Sequence, residues 1–214
     1  MKKIGIVYLA ICTVFSANAQ SSAKAQALLE EVSEKVSSYD NIRIEFKYAL
    51  NNPEANVRQE TRGDVSLEGE KYVLNIMGTT RIFDGEKIYT IIPEDQEINI
   101  STYRPGDQQE ITPSQMLTFY KEGYNYEMDV VQDVHGRKIQ YVKLVPINSD
   151  AEVKDILLGI DQQTKNIYSL IQTQDNGTRI TITVKSFKTN QPLPASLFTF
   201  NESRYEDYYI NRLD

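Results

Sequence analysis

The stretch "RIFDGEKIYTIIPEDQEINI", from Arg81 to Ile100, decides how this chain folds. Asp84-Gly85 separates two apolar runs, a strong short-range signal for a β-hairpin. Glu94-Asp95-Gln96 then turns the chain again into "EINIST". The middle, Ile88-Tyr89-Thr90-Ile91-Ile92, puts apolar bulk at odd and even positions alike. Successive side chains of a strand point to opposite faces, so a strand with one wet face should alternate. Ile88 and Ile92 share one face, and Tyr89 and Ile91 share the other. Whichever set faces the core, the second needs a cover of its own.

The same two-residue period extends in both directions. In "NIRIEFKYAL", Ile42, Ile44, Phe46, Tyr48 and Leu50 face one way and Arg43, Glu45 and Lys47 the other. After the "NNPEAN" turn, "QETRGDVSLEG" and "EKYVLNIMG" flank a turn at Glu68-Gly69-Glu70. Beyond Gly123 come "YEMDVVQDV", a His135-Gly136 turn, "RKIQYVKLVPI", "EVKDILLGID", "KNIYSLIQTQ", a turn at Asp175-Asn176-Gly177, and "TRITITVKSF". About ten or eleven short strands at regular spacing predict a meander, closed as a barrel or strongly curved.

Two segments break the β pattern. Ala25, Leu28, Leu29, Val32 and Val36 recur at helical spacing, predicting an amphipathic helix of about four turns. Thr112-Pro113-Ser114-Gln115 reads as a helix start, with Thr112 as N-cap, proline at N1 and Gln115 completing a capping box. Met116, Leu117, Phe119 and Tyr120 follow, and Gly123 closes this short central helix, a candidate lid or plug.

The first nineteen residues have the pattern of a secretory signal peptide. Lys2 and Lys3 form a basic start, Ile4 to Phe15 an apolar run, and Ala17 and Ala19 the small residues before a cleavage site at Gln20. A rival reading takes Leu9-Ala10-Ile11-Cys12 as a lipidation box. The bulky Ile11 before Cys12, and the apolar run continuing past it, count against that reading. Cleavage leaves residues 20–214 as a single domain without cysteine, whose stability must come from a core. It also removes Lys2 and Lys3, so the formal charge goes from −7 to −9. That charge argues against nucleic acid as a partner and against electrostatic docking on anionic lipid.

Little in the sequence points to catalysis. His135 is the lone histidine, which leaves no ligand set for zinc or copper. No nucleophile elbow, phosphate-binding loop or dinucleotide fingerprint is present. Asp84, Glu94, Asp95, Asp107 and Asp175 sit in turns, where solvated turn chemistry accounts for them. Apolar supply is the salient feature. Many strands offer one apolar face, and two helices each add a stripe. A half-open sheet around those helices uses the supply, and leaves either a dry core or a groove for an elongated apolar ligand.

In order and wording the chain resembles the LolA family of periplasmic lipoprotein carriers. The words are "VSSYDNIRIEFKY", "RGDVSL", "IFDGEKIYTIIPEDQEI", "TPSQML", and "ILLGIDQQTKNIYSLIQTQDNGTRITITVKSF" followed by "FTF". The resemblance implies a mainly β fold with α: an open, incomplete antiparallel β-barrel wrapped around the N-terminal helix and a short central lid helix. It also implies a non-enzymatic carrier without cofactor. Such a carrier would take acylated lipoproteins from an inner-membrane ATP-driven releasing complex to an outer-membrane acceptor, as a monomer in the periplasm.

On this reading the acyl chains would be lined by Ile44, Phe46, Val65, Leu67, Leu74, Ile88 and Ile91 from the first half of the chain. Met116, Leu117 and Phe119 would contribute from the central helix, and Ile160, Ile171, Phe198 and Phe200 from the last third. Ile88 and Ile92 are the set expected against the lid. The family's latch arginine has no counterpart at Glu68-Gly69-Glu70, and Arg81 is the candidate substitute. Two other readings are an envelope interaction module with a filled core, presenting Tyr205, Tyr208 and Tyr209, and a glycan-binding or hydrolysing protein built on tyrosines and carboxylates.

Overall fold

A computed structural model describes the backbone of residues 4–104, 112–148 and 151–213, and side chains from residue 20 onward. Helix α1 (Ile4–Ser37) is followed by β1 (Ile42–Asn52), β2 (Val57–Glu68), β3 (Lys71–Ile76), β4 (Thr79–Phe83), β5 (Lys87–Ile92) and β6 (Glu97–Thr102). Two 3-10 turns, Gln115–Leu117 and Phe119–Lys121, lead into β7 (Tyr124–Val134). Strands β8 (Arg137–Pro146), β9 (Val153–Asp161), β10 (Ile167–Gln174) and β11 (Arg179–Thr189) follow, and β12 (Tyr209–Arg212) is the last described strand. In hydrogen-bonded order the strands run β12-β6-β5-β4-β3-β2-β1-β11-β10-β9-β8-β7, an open sheet with β12 and β7 at its edges. The mainly β, open, largely antiparallel architecture expected from the sequence is the one observed.

Three details differ. The sheet has twelve strands, because "YINR" in the tail adds as β12, parallel to β6 with Tyr209 opposite Glu97 and Arg212 opposite Ile100. Four residues without alternation carry no strand signal. The central helix is two separate 3-10 turns. Its capping box nevertheless forms: Gln115 N–H donates to Thr112 Oγ1 at 3.2 Å, and Thr112 N–H donates to Gln115 Oε1 at 2.8 Å. The N-terminal helix begins at Ile4 and runs unbroken through Ser37.

The chain forms two compact units that interleave in sequence. One takes Met1–Val36, Asn51–Val57 and Tyr120–Thr181, and the other Ser37–Leu50, Arg58–Phe119 and Ile182–Asp214. In the first, antiparallel β7 to β10 pair in sequence order. Ile156, Leu158, Ile160, Val142 and Leu144 share one face of it, all of them buried. Ala25, Leu29 and Val32 of α1 are buried as well. Three polar ties hold the helix. Met128 N–H donates to Ser21 Oγ at 3.0 Å, Lys165 pairs with Glu31 at 2.9 Å, and Lys35 Nζ donates to the Thr164 carbonyl at 2.6 Å.

Two of those ties end on the β9–β10 turn, which Asp161 organises. Its buried carboxylate accepts from Gln163 N–H, Thr164 N–H and Arg137 Nε, at 2.9, 3.0 and 2.8 Å. Partial burial favours the neutral acid. The Thr164, Arg137 and Gln163 donors outweigh it and hold the carboxyl below its ordinary range.

In the second unit the hairpins close at left-handed residues. Met77 and Gly78 at the β3–β4 turn have φ of 51° and 75°, as a two-residue hairpin turn matched to strand twist requires.

Candidate functional site

The register of β2 to β6 sorts the second unit's side chains onto two faces. On one, Leu67, Tyr72, Phe83, Ile88 and Ser101 are successive partners across five strands. The first four are only 2–6% exposed. Tyr72 and Phe83 are in ring contact at 5.7 Å, and Tyr103 closes on Phe83 at 5.0 Å. The next row on that face runs Val65, Leu74, Arg81, Thr90, Asn99 and Asn211, passing from apolar at β2 to polar at β12. Phe46 of β1 lies over this face. A methyl group built on Gly63 would meet the Phe46 ring at 2.6 Å, so only glycine admits the ring there. Ile42, Ile44 and Phe46 are buried while Arg43 and Glu45 are exposed, the alternation expected of β1.

The opposite face answers the opening puzzle. Val73, Ile82, Ile91, Ile98 and Ile100 form a buried cluster with Phe198, and Leu193, Leu197, Phe200, Tyr205, Tyr208 and Ile210 pack against it. The C-terminal segment is therefore the second cover. Tyr89 stacks on Phe200 at 4.6 Å, Phe200 on Tyr205 at 5.5 Å, and Tyr205 meets Tyr208 edge-on at 5.1 Å. Asp84 anchors this stack. Its Oδ2 accepts from Tyr89 Oη at 2.9 Å, and its Oδ1 accepts from the N–H groups of Glu86 and Lys87. Burial and the Asp84 carboxylate push the Tyr89 hydroxyl up to about 12.

The predicted lining residues thus do not form one surface. Ile44, Phe46, Val65, Leu67, Leu74 and Ile88 belong to the Leu67 face. Ile91 sits on the opposite face, and Phe198 and Phe200 belong to the C-terminal segment that covers it. Period two separates Ile88 from Ile91, so both could not line one groove: Ile88 shares the face of Leu67, and Ile91 the face of Val73. Of the central segment, Leu117 is buried, Phe119 is half-buried and Met116 is 38% exposed. Ile160 and Ile171, in the first unit, lie on opposite faces of its sheet: Ile160 pairs with Ile167, and Ile171 with Leu157. Arg81 sits on the Leu67 face between Leu74 and Thr90, with its Nε shut off from solvent. Tyr205 and Tyr208 are half-buried in the aromatic stack, which leaves Tyr209 as the exposed tyrosine of the three foreseen for a partner. A cavity of about 990 Å³ opens in the second unit, but its lining mixes charged and polar side chains with Phe46, Ile76 and Met77, and Phe46 is the one predicted residue on it.

Among the described residues no three His, Cys, Asp or Glu side chains are grouped to hold a metal, and no helix is long and apolar enough to cross a membrane.

Residues 37–201 match the family model described as outer membrane lipoprotein carrier protein LolA. The chain belongs to the LolA family. No curated protein matches it at the sequence level. Among solved structures it is similar to an uncharacterized conserved protein from Thermus thermophilus, at 8% identity and a TM-score of 0.58, over 86% of this chain and 98% of that one. It is also similar to LprF from Mycobacterium bovis, at 14% identity and a TM-score of 0.51, over 81% of this chain and 96% of that one. At such identities these likenesses speak to the fold alone. The LolA match gives the two-faced sheet its context, in a family named for carrying lipoproteins.

Proposed function

We propose that this LolA-family protein is an exported, non-enzymatic carrier that shields the acyl chains of lipoproteins between the inner and outer membranes. The observation that carries the reading is the apolar row Leu67–Tyr72–Phe83–Ile88 on one sheet face, in a chain that belongs to a carrier family. The physical need is large. Acyl burial is worth about 0.8 kcal/mol per methylene, so a chain of roughly fifteen resists crossing water by about 12 kcal/mol. Ile44, Phe46, Val65, Leu67, Leu74 and Ile88 form the proposed acyl surface, and Leu117 and Phe119 of the central segment are the proposed lid. Arg81, the one charged side chain in the Val65–Asn211 row, is the proposed latch. The releasing complex at the inner membrane and an acceptor at the outer membrane are the proposed partners.

The test is displacement of an apolar fluorescent probe by a lipopeptide, with mass spectrometry of what copurifies from the cell envelope. Lipid-modified protein in the preparation and competitive displacement are expected. A protein that takes up no probe and copurifies with no acylated species would sink the reading. A second reading, an interaction module of the same fold, rests on Tyr209, which is 70% exposed on edge strand β12. Capture of an envelope protein by the wild type but not by Tyr209→Ala, without acyl dependence, would favour it.

A further inference from the structure

We propose that the charged cavity of the second unit binds a phosphate group, at a site that shares only Phe46 with the proposed acyl surface. The cavity, about 990 Å³, spans the neighbouring strands β4, β3, β2, β1 and β11. Its charged side chains do not simply cancel. Glu60 is engaged: Lys47 pairs with it at 2.8 Å and Arg58 at 3.4 Å. The Lys47 hydrogen bond and charge, with help from Arg58, hold the Glu60 carboxyl below its ordinary range, so it is ionised and committed to those partners. Asp64 is engaged too, accepting from Asn75 Nδ2 at 3.1 Å, while Asn75 in turn accepts from Thr80 Oγ1 at 2.8 Å.

Arg43, Arg62 and Lys185 remain, and none has an ion-pair or hydrogen-bond partner for its charge among the described residues. Glu45 is the one carboxylate of the lining left in the same condition. With Lys47 and Glu60 paired, the cavity presents three cations, Arg43, Arg62 and Lys185, against two carboxylates, Glu45 and Asp64, a net positive lining in a chain whose formal charge is −7. Two of the three are arginines, whose planar fork of N–H donors matches the oxygens of a phosphate, and a concave wall strengthens the local field. Inorganic phosphate and a phospholipid headgroup share this chemistry.

The test is isothermal titration of inorganic phosphate and of glycerol 3-phosphate into the full chain at low ionic strength. In parallel, the protein is sedimented with phosphatidylglycerol–phosphatidylcholine vesicles and with phosphatidylcholine vesicles alone. All three cations are exposed, so Arg43→Gln with Arg62→Gln should fold normally, which the thermal transition checks. Binding that falls at least tenfold in that double variant, and severalfold in Lys185→Gln, is expected. Arg204→Gln, exposed and outside the cavity, should leave it unchanged. Arginine-dependent binding of the free anions without vesicles assigns the site to a soluble phosphate. Arginine-dependent sedimentation with phosphatidylglycerol assigns it to a headgroup. Absence of binding to every probe overturns the proposal, as does binding that the double variant retains in full.

Discussion

Single residues set the tolerance of both units. Gly63 is the tightest position on the Leu67 face. Beyond the Phe46 ring, a Cβ would come within 2.7 Å of the Asn75 carbonyl oxygen, which is backbone and cannot swing away. Gly63→Ala should therefore destabilise by about 1–3 kcal/mol, the usual cost of overpacking. Phe46→Leu should return only part of that, because the backbone clash stays. A double-mutant cycle by urea denaturation reads both. In the first unit Asp161 plays the corresponding polar role. With 4% of its side chain exposed and three donors on it, Asp161→Asn should cost about 1–3 kcal/mol. Its folded pKa lies below the ordinary 3.8, and so does that of Asp84. The stability this provides is complete above the unfolded value and is lost as pH falls through the folded one. Wild type should lose stability steeply below about pH 4. Asp161→Asn should show a shallower acid slope in denaturant melts repeated from about pH 6 down to about 2.

At the scale of elements, the C-terminal segment and the central segment differ in what holds them. The C-terminal segment covers one face of the β2–β6 sheet through aromatic and aliphatic packing, and it ends in a strand paired to β6. Truncation after Asn190 would bare Val73, Ile82, Ile91, Ile98 and Ile100 together. The truncated protein should bind a dye for exposed apolar surface and aggregate, whereas a merely decorative tail would leave it monomeric and dye-negative. The central segment buries Leu117 and Tyr120. Its capping box is intact although the turns it starts are 3-10, so local side-chain chemistry survives where the α-helical period does not. Thr112→Ala should cost about 1 kcal/mol, measured as the shift in denaturation midpoint at constant slope.

For the whole molecule, what the sequence made legible follows from how local each signal is. Turn chemistry and two-residue alternation are local, and they placed the strands from "NIRIEFKYAL" to "TRITITVKSF" correctly. The capping box is local, and it formed. The cover of the Ile91 face was not legible. It depends on Phe198, Phe200, Tyr205 and Tyr208, far downstream in a tail whose one short strand pairs parallel to β6. For the same reason Ile91, Phe198 and Phe200 looked like cavity lining. They are apolar and in phase with their own neighbours, and nothing local distinguishes the two sides of a sheet buried on both. The charged cavity was hidden as well, because it is the sum of Arg43, Arg62 and Lys185 from three strands. The acidic total argued against nucleic acid and against electrostatic docking on anionic lipid, and it says nothing of how charge is distributed.

The two-faced sheet also makes the carrier proposal testable within single strands. Leu74 is half-buried on the proposed acyl face, and its neighbour in sequence, Val73, is buried on the face beneath the tail. Leu74→Asp places a charge where acyl chains would lie, and it should abolish probe binding at modest cost to stability. Val73→Ala removes two methyl groups from the opposite cluster and should destabilise by about 1–3 kcal/mol, while the folded fraction keeps its affinity for the probe. Affinity and denaturation midpoint measured on both variants separate the outcomes. If both residues affected affinity equally, or if Leu74→Asp bound the probe as wild type does, the division of labour between the two faces would be wrong. The acyl surface would then have to lie elsewhere than on the Leu67 face.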